Sequence, residues 1–400
     1  MAYRSSLAVV IAAAVASFGL VGTSSAADRE VKIAGFGAKS GVVRSFGVNT
    51  EAVMRAAAES INNAGGVKLG DGTMGKLSIT FDDDRCNAEE GISVLRRIAS
   101  TDAVVAVGPT CSNVAEPLFG ILQKTVGDSG DSGIQMPIFT DTAIKGGLAQ
   151  ISEWAFRNVP NEGVMYETLF TWLKETHPDL KTVFGGVEED FAHSRFTWYK
   201  VMKTRSAEAG YEVVGESKWL LNDTNFATQV RAMKKAKADV VAISAHPFTT
   251  CGVLKEMKRQ RVKPKLLVGL TSSSSLETLQ GCAAQAEGLI IPTSFAPVTE
   301  AARAAAAASA EKGGSADLHS AAAWEIVMVL RDVIEAQGVM AKGDTVEADR
   351  RRIRDGLASL KQTDGLLGTI KRHEDGEATK PYVYVHAKDG NWAVLHDPGS

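Results

Sequence analysis

The chain has no excess of positive charge. Its 400 residues carry 44 Lys and Arg against 47 Asp and Glu, a formal net charge of −3. A protein that works by gripping nucleic acid needs a phosphate-neutralising basic surface, so that class is excluded and no nucleic-acid partner is expected. Aromatic residues make up only 6%, which gives weight to each one near a candidate pocket. The four cysteines contain no CxxC spacing, so no zinc site and no other metal site is expected. There is no GxSxG elbow, no HExxH and no Walker A run. The dinucleotide fingerprint also fails. Gly35 and Gly37 fit, but Ser40 stands where the third glycine belongs, and the next glycine is Gly41. Acid pairs such as Asp83 and Asp84 are not catalytic without geometry. An enzyme is therefore not expected, and no cofactor is implied.

What is present begins with a leader-like segment. Arg4 is followed by the apolar run Leu7 to Ala16, and Ser25, Ala26 and Ala27 are small residues suited to cleavage. The wider run to Gly22 would span only about 24 Å as a helix, short of a ~30 Å bilayer core. Residues 1–27 are read as a signal peptide cleaved near Ala27, and the mature chain as exported to the periplasm. No cysteine precedes Cys86, which excludes a lipid-bearing cysteine at the cleavage point. In an oxidising compartment an even cysteine count reads as disulfides, here with three connectivities open. Cys86 and Cys111 each follow an apparent strand and could meet at adjacent strand ends, leaving Cys251 and Cys282.

The length, with 44% hydrophobic and 23% charged residues, suits two domains, each burying its own core. Apolar runs and amphipathic stretches alternate along it. Strands are predicted at 31–36, 77–81, 103–107 and 134–140, with helices at 48–62, 88–100 and 114–124. The rhythm resumes with helices at 162–175, 194–209, 225–237 and 251–260 and strands at 182–186, 211–216, 240–244, 266–270 and 288–293. An Ala-rich helix at 301–310 and short extended pieces at 382–386 and 392–395 follow. Such alternation predicts an α/β protein of two doubly wound parallel-sheet lobes. Ligands of such sheets sit beyond the carboxyl ends of the strands. Small hydroxyl residues collect there, at 108–112, 140–142, 246–250 and 271–275, where they are N-caps or anion contacts.

At these residues a family resemblance appears. VKIAGFGAKSG, INNAGGV, FDDDRCNAEEG and GPTCSNVAEP stand in order. With them the chain, from about residue 30 to 395, resembles the periplasmic substrate-binding proteins of ABC importers in the branched-chain amino-acid (Leu/Ile/Val-binding) group. The resemblance implies two lobes joined by a three-crossing hinge that close on a small-molecule ligand and deliver it to permease subunits in the inner membrane, the binding protein being a monomer. It places residues 28–149 with 293–365 in one lobe and 150–292 with 366–400 in the other. It also implies the bridge Cys86–Cys111.

In that family hydroxyls of the first lobe hold an amino acid's carboxylate. The matching positions are Ser112, Thr140 and Thr142. The acid that binds the ammonium is replaced by Thr271, within GLTSSSS, and two ligand-flanking tyrosines fall on Phe191 and His246. A buried ammonium without an anion is strongly penalised. The expected ligand is therefore an organic acid with an apolar, aromatic body, unless Glu188, Glu189 or Asp190 supplies the acid. Candidate walls are Phe46, Phe191, Phe248 and Phe295, and polar handles are His193, Arg195 and His246. FAHSRFTW and SAHPFTTCG resemble the family's hydroxycinnamate-binding members, such as those for p-coumarate. Either Ser112 and Thr142 grip the carboxylate, or Arg195 and His246 do and the first-lobe hydroxyls meet a phenol or amide. An amino-acid or amide binder of the same family, and a ligand sensor for a chemoreceptor or regulator, are the competing functions.

Overall fold

A computed structural model describes residues 29–399. The expected leader and its cleavage site lie outside them. Among the described residues no helix is long and apolar enough to cross a membrane.

The alternating pattern folds into two sheets. The first has the spatial order Val67–Lys68, Met74–Asp83, Arg29–Gly37, Val105–Val107, Ile138–Thr140, Ala155–Arg157, parallel except for the outermost Val67–Lys68. The second runs Asn391–His396, Val383–Lys388, Leu289–Thr293, Leu266–Gly269, Val240–Ser244, Thr182–Glu188, Glu212–Trp219, with its first two strands antiparallel. Central strands such as Val105–Val107 and Val240–Ser244 are buried throughout because helices cover both faces. Period-2 alternation splits the first core accordingly. Ile33, Val105 and Phe139 pack with Val53 and Ala57 of helix Arg44–Asn63 and with Ile326 and Leu330 of helix Ser320–Ala336. Ala34, Ala106 and Ile138 meet Leu95, Val114 and Leu118 on the other face.

The chain passes between the sheets three times: after Arg157, after Thr293 and after Thr379. This is the two-lobed, three-crossing α/β architecture expected. The first crossing comes later than residue 149, because Trp154 and Ala155 bury in the first lobe's core and Ala155–Arg157 completes its sheet. Elements outside the predicted rhythm are helices Leu276–Ala286, Ser320–Ala336 and Val346–Ser359 and a small antiparallel sheet of Gln362–Gly365, Gly368–Arg372 and Ala378–Thr379.

Both disulfides form, Cys86–Cys111 and Cys251–Cys282. The strands preceding Cys86 and Cys111 are not neighbours. They flank Arg29–Gly37 on either side, so the bridge spans the end of the strand between them. The second bridge ties helix Pro247–Gln260 to helix Leu276–Ala286.

Helix Ala88–Ala99 begins at Asn87, whose side-chain oxygen accepts from the backbone N–H of Glu89 at 3.0 Å and of Glu90 at 3.1 Å. Asn87→Ala should cost about 1 kcal/mol, read as a lower denaturation midpoint with an unchanged slope.

Candidate functional site

The first lobe contributes hydroxyls at strand ends. The loop after Val105–Val107 leads to Ser112, the first residue of helix Ser112–Phe119, whose opening N–H groups lack intrahelical acceptors. Ser112 Oγ accepts from the backbone N–H of Lys145 at 3.2 Å, which leaves its own hydrogen unspent. The same bond ties Ser112 to the loop carrying Thr142, a buried residue whose Oγ1 has no hydrogen-bond partner. Thr140 differs. It donates to the Pro109 carbonyl at 2.8 Å, so it braces two loops and its donor is not available. The buried Arg157 guanidinium fixes this wall by donating to the carbonyls of Ala143 at 3.2 Å and Ile144 at 2.8 Å.

The second lobe contributes two buried carboxylates. Glu162 opens helix Glu162–Thr176, which Asn161 caps. It accepts from His193 Nε2 at 2.9 Å, from Thr197 Oγ1 at 2.6 Å and from Thr271 Oγ1. Glu188 ends strand Thr182–Glu188 and accepts from His246 Nδ1 at 2.5 Å and Thr249 Oγ1 at 2.6 Å. Burial opposes ionisation of both. The adjoining His193 imidazole with the Thr197 and Thr271 donors, and the His246 imidazole with Thr249, nevertheless hold them below the usual carboxylate range. Burial lowers His193, and Glu162 pulls it back only in part. Gly185 lets the Trp198 ring lie against the strand, since a Cβ there would sit 2.1 Å from Trp198 Cζ2. That contact seats the helical segment bearing His193 and Thr197 over Glu162.

The lobes meet at a ring cluster. Phe46 of the first lobe lies 5.9 Å from the His246 ring and 4.9 Å from the His319 ring, centroid to centroid. The Phe191 ring lies 4.1 Å from that of His246, tilted by 50°, and packs with Cys111 and Ala143 across the cleft. Ala192 N–H donates to Asn113 Oδ1 at 2.6 Å, and His319 Nε2 lies 2.9 Å from Ser272 Oγ. A groove of about 450 Å³ opens beside Phe46, between Val42 and Val43 on one side and Phe248 and Lys255 on the other. Phe46 and Phe191 thus both approach the His246 ring where the lobes meet.

A family model described as periplasmic binding protein matches residues 30–391. The chain belongs to the periplasmic binding protein family. It is 24% identical over 371 residues to Leu/Ile/Val-binding protein homolog 3 of Brucella melitensis, covering 92% of this chain and 94% of that one. It is also 24% identical over 345 residues to Leu/Ile/Val-binding protein BraC3 of Rhizobium johnstonii, covering 85% and 86%. Among solved structures, LivJ of Streptococcus pneumoniae in complex with isoleucine superposes with a TM-score of 0.76 at 17% identity, over 92% of this chain and 100% of that one. A solute binding protein of R. palustris in complex with benzoate gives 0.76 at 16% identity, over 92% and 96%. At such identities the superpositions establish the fold alone.

Within this periplasmic binding protein several expected residues lie elsewhere. Arg195 is exposed and makes no ion pair, because Ala192–Phe196 turns His193 and Ser194 inward and Arg195 outward. Thr271 does not mark a missing acid, since Glu162 reaches the same place from another helix. Of the three consecutive acids, Glu188 is fully buried because it ends a strand that is covered on both faces. Glu189 meets Tyr199 and Lys218, while Asp190 accepts from the Leu221 N–H, so neither joins the wall. Phe248 is 45% exposed on the outer groove, and Phe295 packs with Ala302, Ala305 and Leu366. Glu162 and His319 are the residues that sequence reasoning missed, whereas Ser272 lies within the strand-end stretch 271–275. Asn161 before Glu162 is a cap signal, and nothing in the strand-end rule points to His319.

Three buried aspartates affect stability. Burial pushes Asp84 up to about 7 and Asp141 up to about 6, and burial with the Glu277 carboxylate raises Asp317. A raised folded-state pKa means the folded state binds the proton more tightly. The contribution of Asp84 is therefore complete below about pH 4 and is lost as pH rises to about 7. The lowered His193 and His319 act oppositely, losing stability as pH falls through about 6.5. The informative quantity is the difference between variant and parent. Asp84→Asn should gain stability relative to the parent as pH goes from 5 to 8, by about 1 kcal/mol per unit at most, measured by denaturant unfolding at each pH.

Proposed function

We propose that this protein is the periplasmic solute-binding component of an ABC importer, acting as a monomer that closes two lobes over a small organic acid with an aromatic body and presents it to membrane permease subunits. One observation carries the ligand class: the Ser112 donor is unspent, with Thr142 on the adjoining loop, while both second-lobe carboxylates are engaged by histidines and threonines. A carboxylate finds partners in this cleft. An ammonium would meet imidazoles before it met an acid. The benzoate-bound relative supports the reading in kind, since its fold accepts an aromatic acid. Closure follows because a ligand touching both walls favours the closed arrangement over the open one.

A second reading is an amino acid whose ammonium meets the imidazoles backed by Glu162 and Glu188. Those two buried carboxylates favour it. Thermal shift against benzoate, 4-hydroxybenzoate, leucine and isoleucine separates the two. A ligand at 100 times its Kd stabilises by about 2.7 kcal/mol. Aromatic acids should raise the melting temperature and the aliphatic amino acids should not. The reverse pattern would make the amino-acid reading the correct one.

A further inference from the structure

We propose that His319 is a ligand-binding residue that offers the bound molecule a hydrogen-bond acceptor, so the ligand carries a matching donor, such as a hydroxyl on an aromatic acid. The hydroxyl assignment rests on the organic-acid reading above. The demand for a donor rests on the cleft alone.

His319 stands just before helix Ser320–Ala336, buried, with its ring 4.9 Å from Phe46. Leu318 packs on Ile144 and Val159, so this loop abuts the one that carries Thr142. A chain of hydrogen bonds fixes which nitrogen of His319 bears hydrogen. Glu162 is ionised and can only accept, so His193 Nε2, 2.9 Å away, carries the hydrogen between them. Burial keeps His193 neutral at neutral pH, which makes its Nδ1 a bare lone pair. Ser272, 3.1 Å from that nitrogen, therefore donates to it. A hydroxyl has one hydrogen, so Ser272 must accept from His319 Nε2, 2.9 Å away. Burial, with the neighbouring His193 and His246, holds the His319 imidazole well below the usual histidine range. Its single hydrogen is thus on Nε2. Nδ1 is a lone pair, buried and without a partner. A buried acceptor left unmatched is a standing cost that a donor on the ligand removes.

The test uses the full mature chain. Nitrogen-15 histidine spectra at pH 7 should show His319 neutral with its hydrogen on Nε2. Calorimetry then compares two matched pairs, 4-hydroxybenzoate with benzoate and leucine with 4-methylpentanoate. In whichever pair binds, the member bearing the donor should bind at least tenfold tighter. His319→Leu should erase that gap while leaving the weaker member's affinity within about threefold. Ser272→Ala keeps the imidazole but releases its tautomer, and should narrow the gap, which guards against a His319 variant that fails to fold. Binding of the leucine pair alone would overturn the aromatic reading while still testing His319 through the ammonium. A hydrogen on Nδ1, equal affinities within the pair that binds, or a gap that survives His319→Leu would overturn the proposal. If neither pair binds, the tautomer decides.

Discussion

Lys380→Met should lose about 3–5 kcal/mol of folding stability, the cost of leaving a buried charge without its partner. Lys380 and Glu325 form an ion pair with both side chains almost wholly buried. Lys380 Nζ also donates to the Asn158 carbonyl at 3.2 Å. Glu325 accepts from Asn158 Nδ2 at 2.8 Å and from the Leu366 N–H at 2.8 Å. The cluster therefore joins the first crossing, at Asn158, to the third, beside Lys380, through helix Ser320–Ala336. Burial lowers the Lys380 ammonium, and Glu325, with a smaller pull from Asp141, draws it back toward its usual range. The double change Glu325→Gln with Lys380→Met removes both charges and keeps an acceptor for one of the two donors, Asn158 or Leu366, which sit on different oxygens of Glu325. It should recover part of the loss. Urea unfolding of the parent, both single variants and the double variant yields the coupling directly. A single-variant loss below about 1 kcal/mol would mean the pair is hydrated in solution and does not lock the crossings.

The parallel architecture was legible because its signal is redundant: every central strand is an apolar run, and each is followed by an amphipathic helix. Helices Ser320–Ala336 and Val346–Ser359 escaped because they follow one another without an intervening strand, so the alternation that identified the others was absent. The first-lobe hydroxyls were legible because Ser112 and Thr142 sit at strand ends, where the fold rule places ligands. The second-lobe acids were not. Glu188 lies in a run of three acids, and only its place at the end of a buried strand distinguishes it. Glu162 stands 109 positions before the Thr271 it bonds, and no local pattern links them. Thr140 looked equivalent to Thr142 by type, yet its donor is spent on Pro109. Residue type indicates what a side chain can donate, whereas the fold decides whether another acceptor has already taken it.

Ser112→Ala and Thr142→Val should each weaken binding of an aromatic carboxylate, with 4-hydroxybenzoate as probe, by about 10- to 100-fold. Each would remove a hydrogen bond to a charged group, and such bonds contribute about 1.5–3 kcal/mol. Together they should abolish detectable binding, because a carboxylate in a closed cleft with unmatched lone pairs costs more than the apolar body returns. The Ser112 variant should melt near the parent, since its donor is not spent on another residue and its Oγ only accepts from Lys145 at 3.2 Å. Arg195→Ala is the counter-test. Its exposed side chain makes no ion pair, so affinity should stay within about twofold. Calorimetric titration of the three single variants assigns the carboxylate to a lobe. Loss with Arg195→Ala and none with Ser112→Ala would move the acid to the second lobe and turn the ligand end for end. His319 would then face the aromatic ring rather than a donor. The grip on the first lobe also predicts the order of events. A ligand held there before closure brings its far end to His246 and His319 only when the lobes meet, so contacts to the imidazoles should govern the dissociation rate more than the association rate.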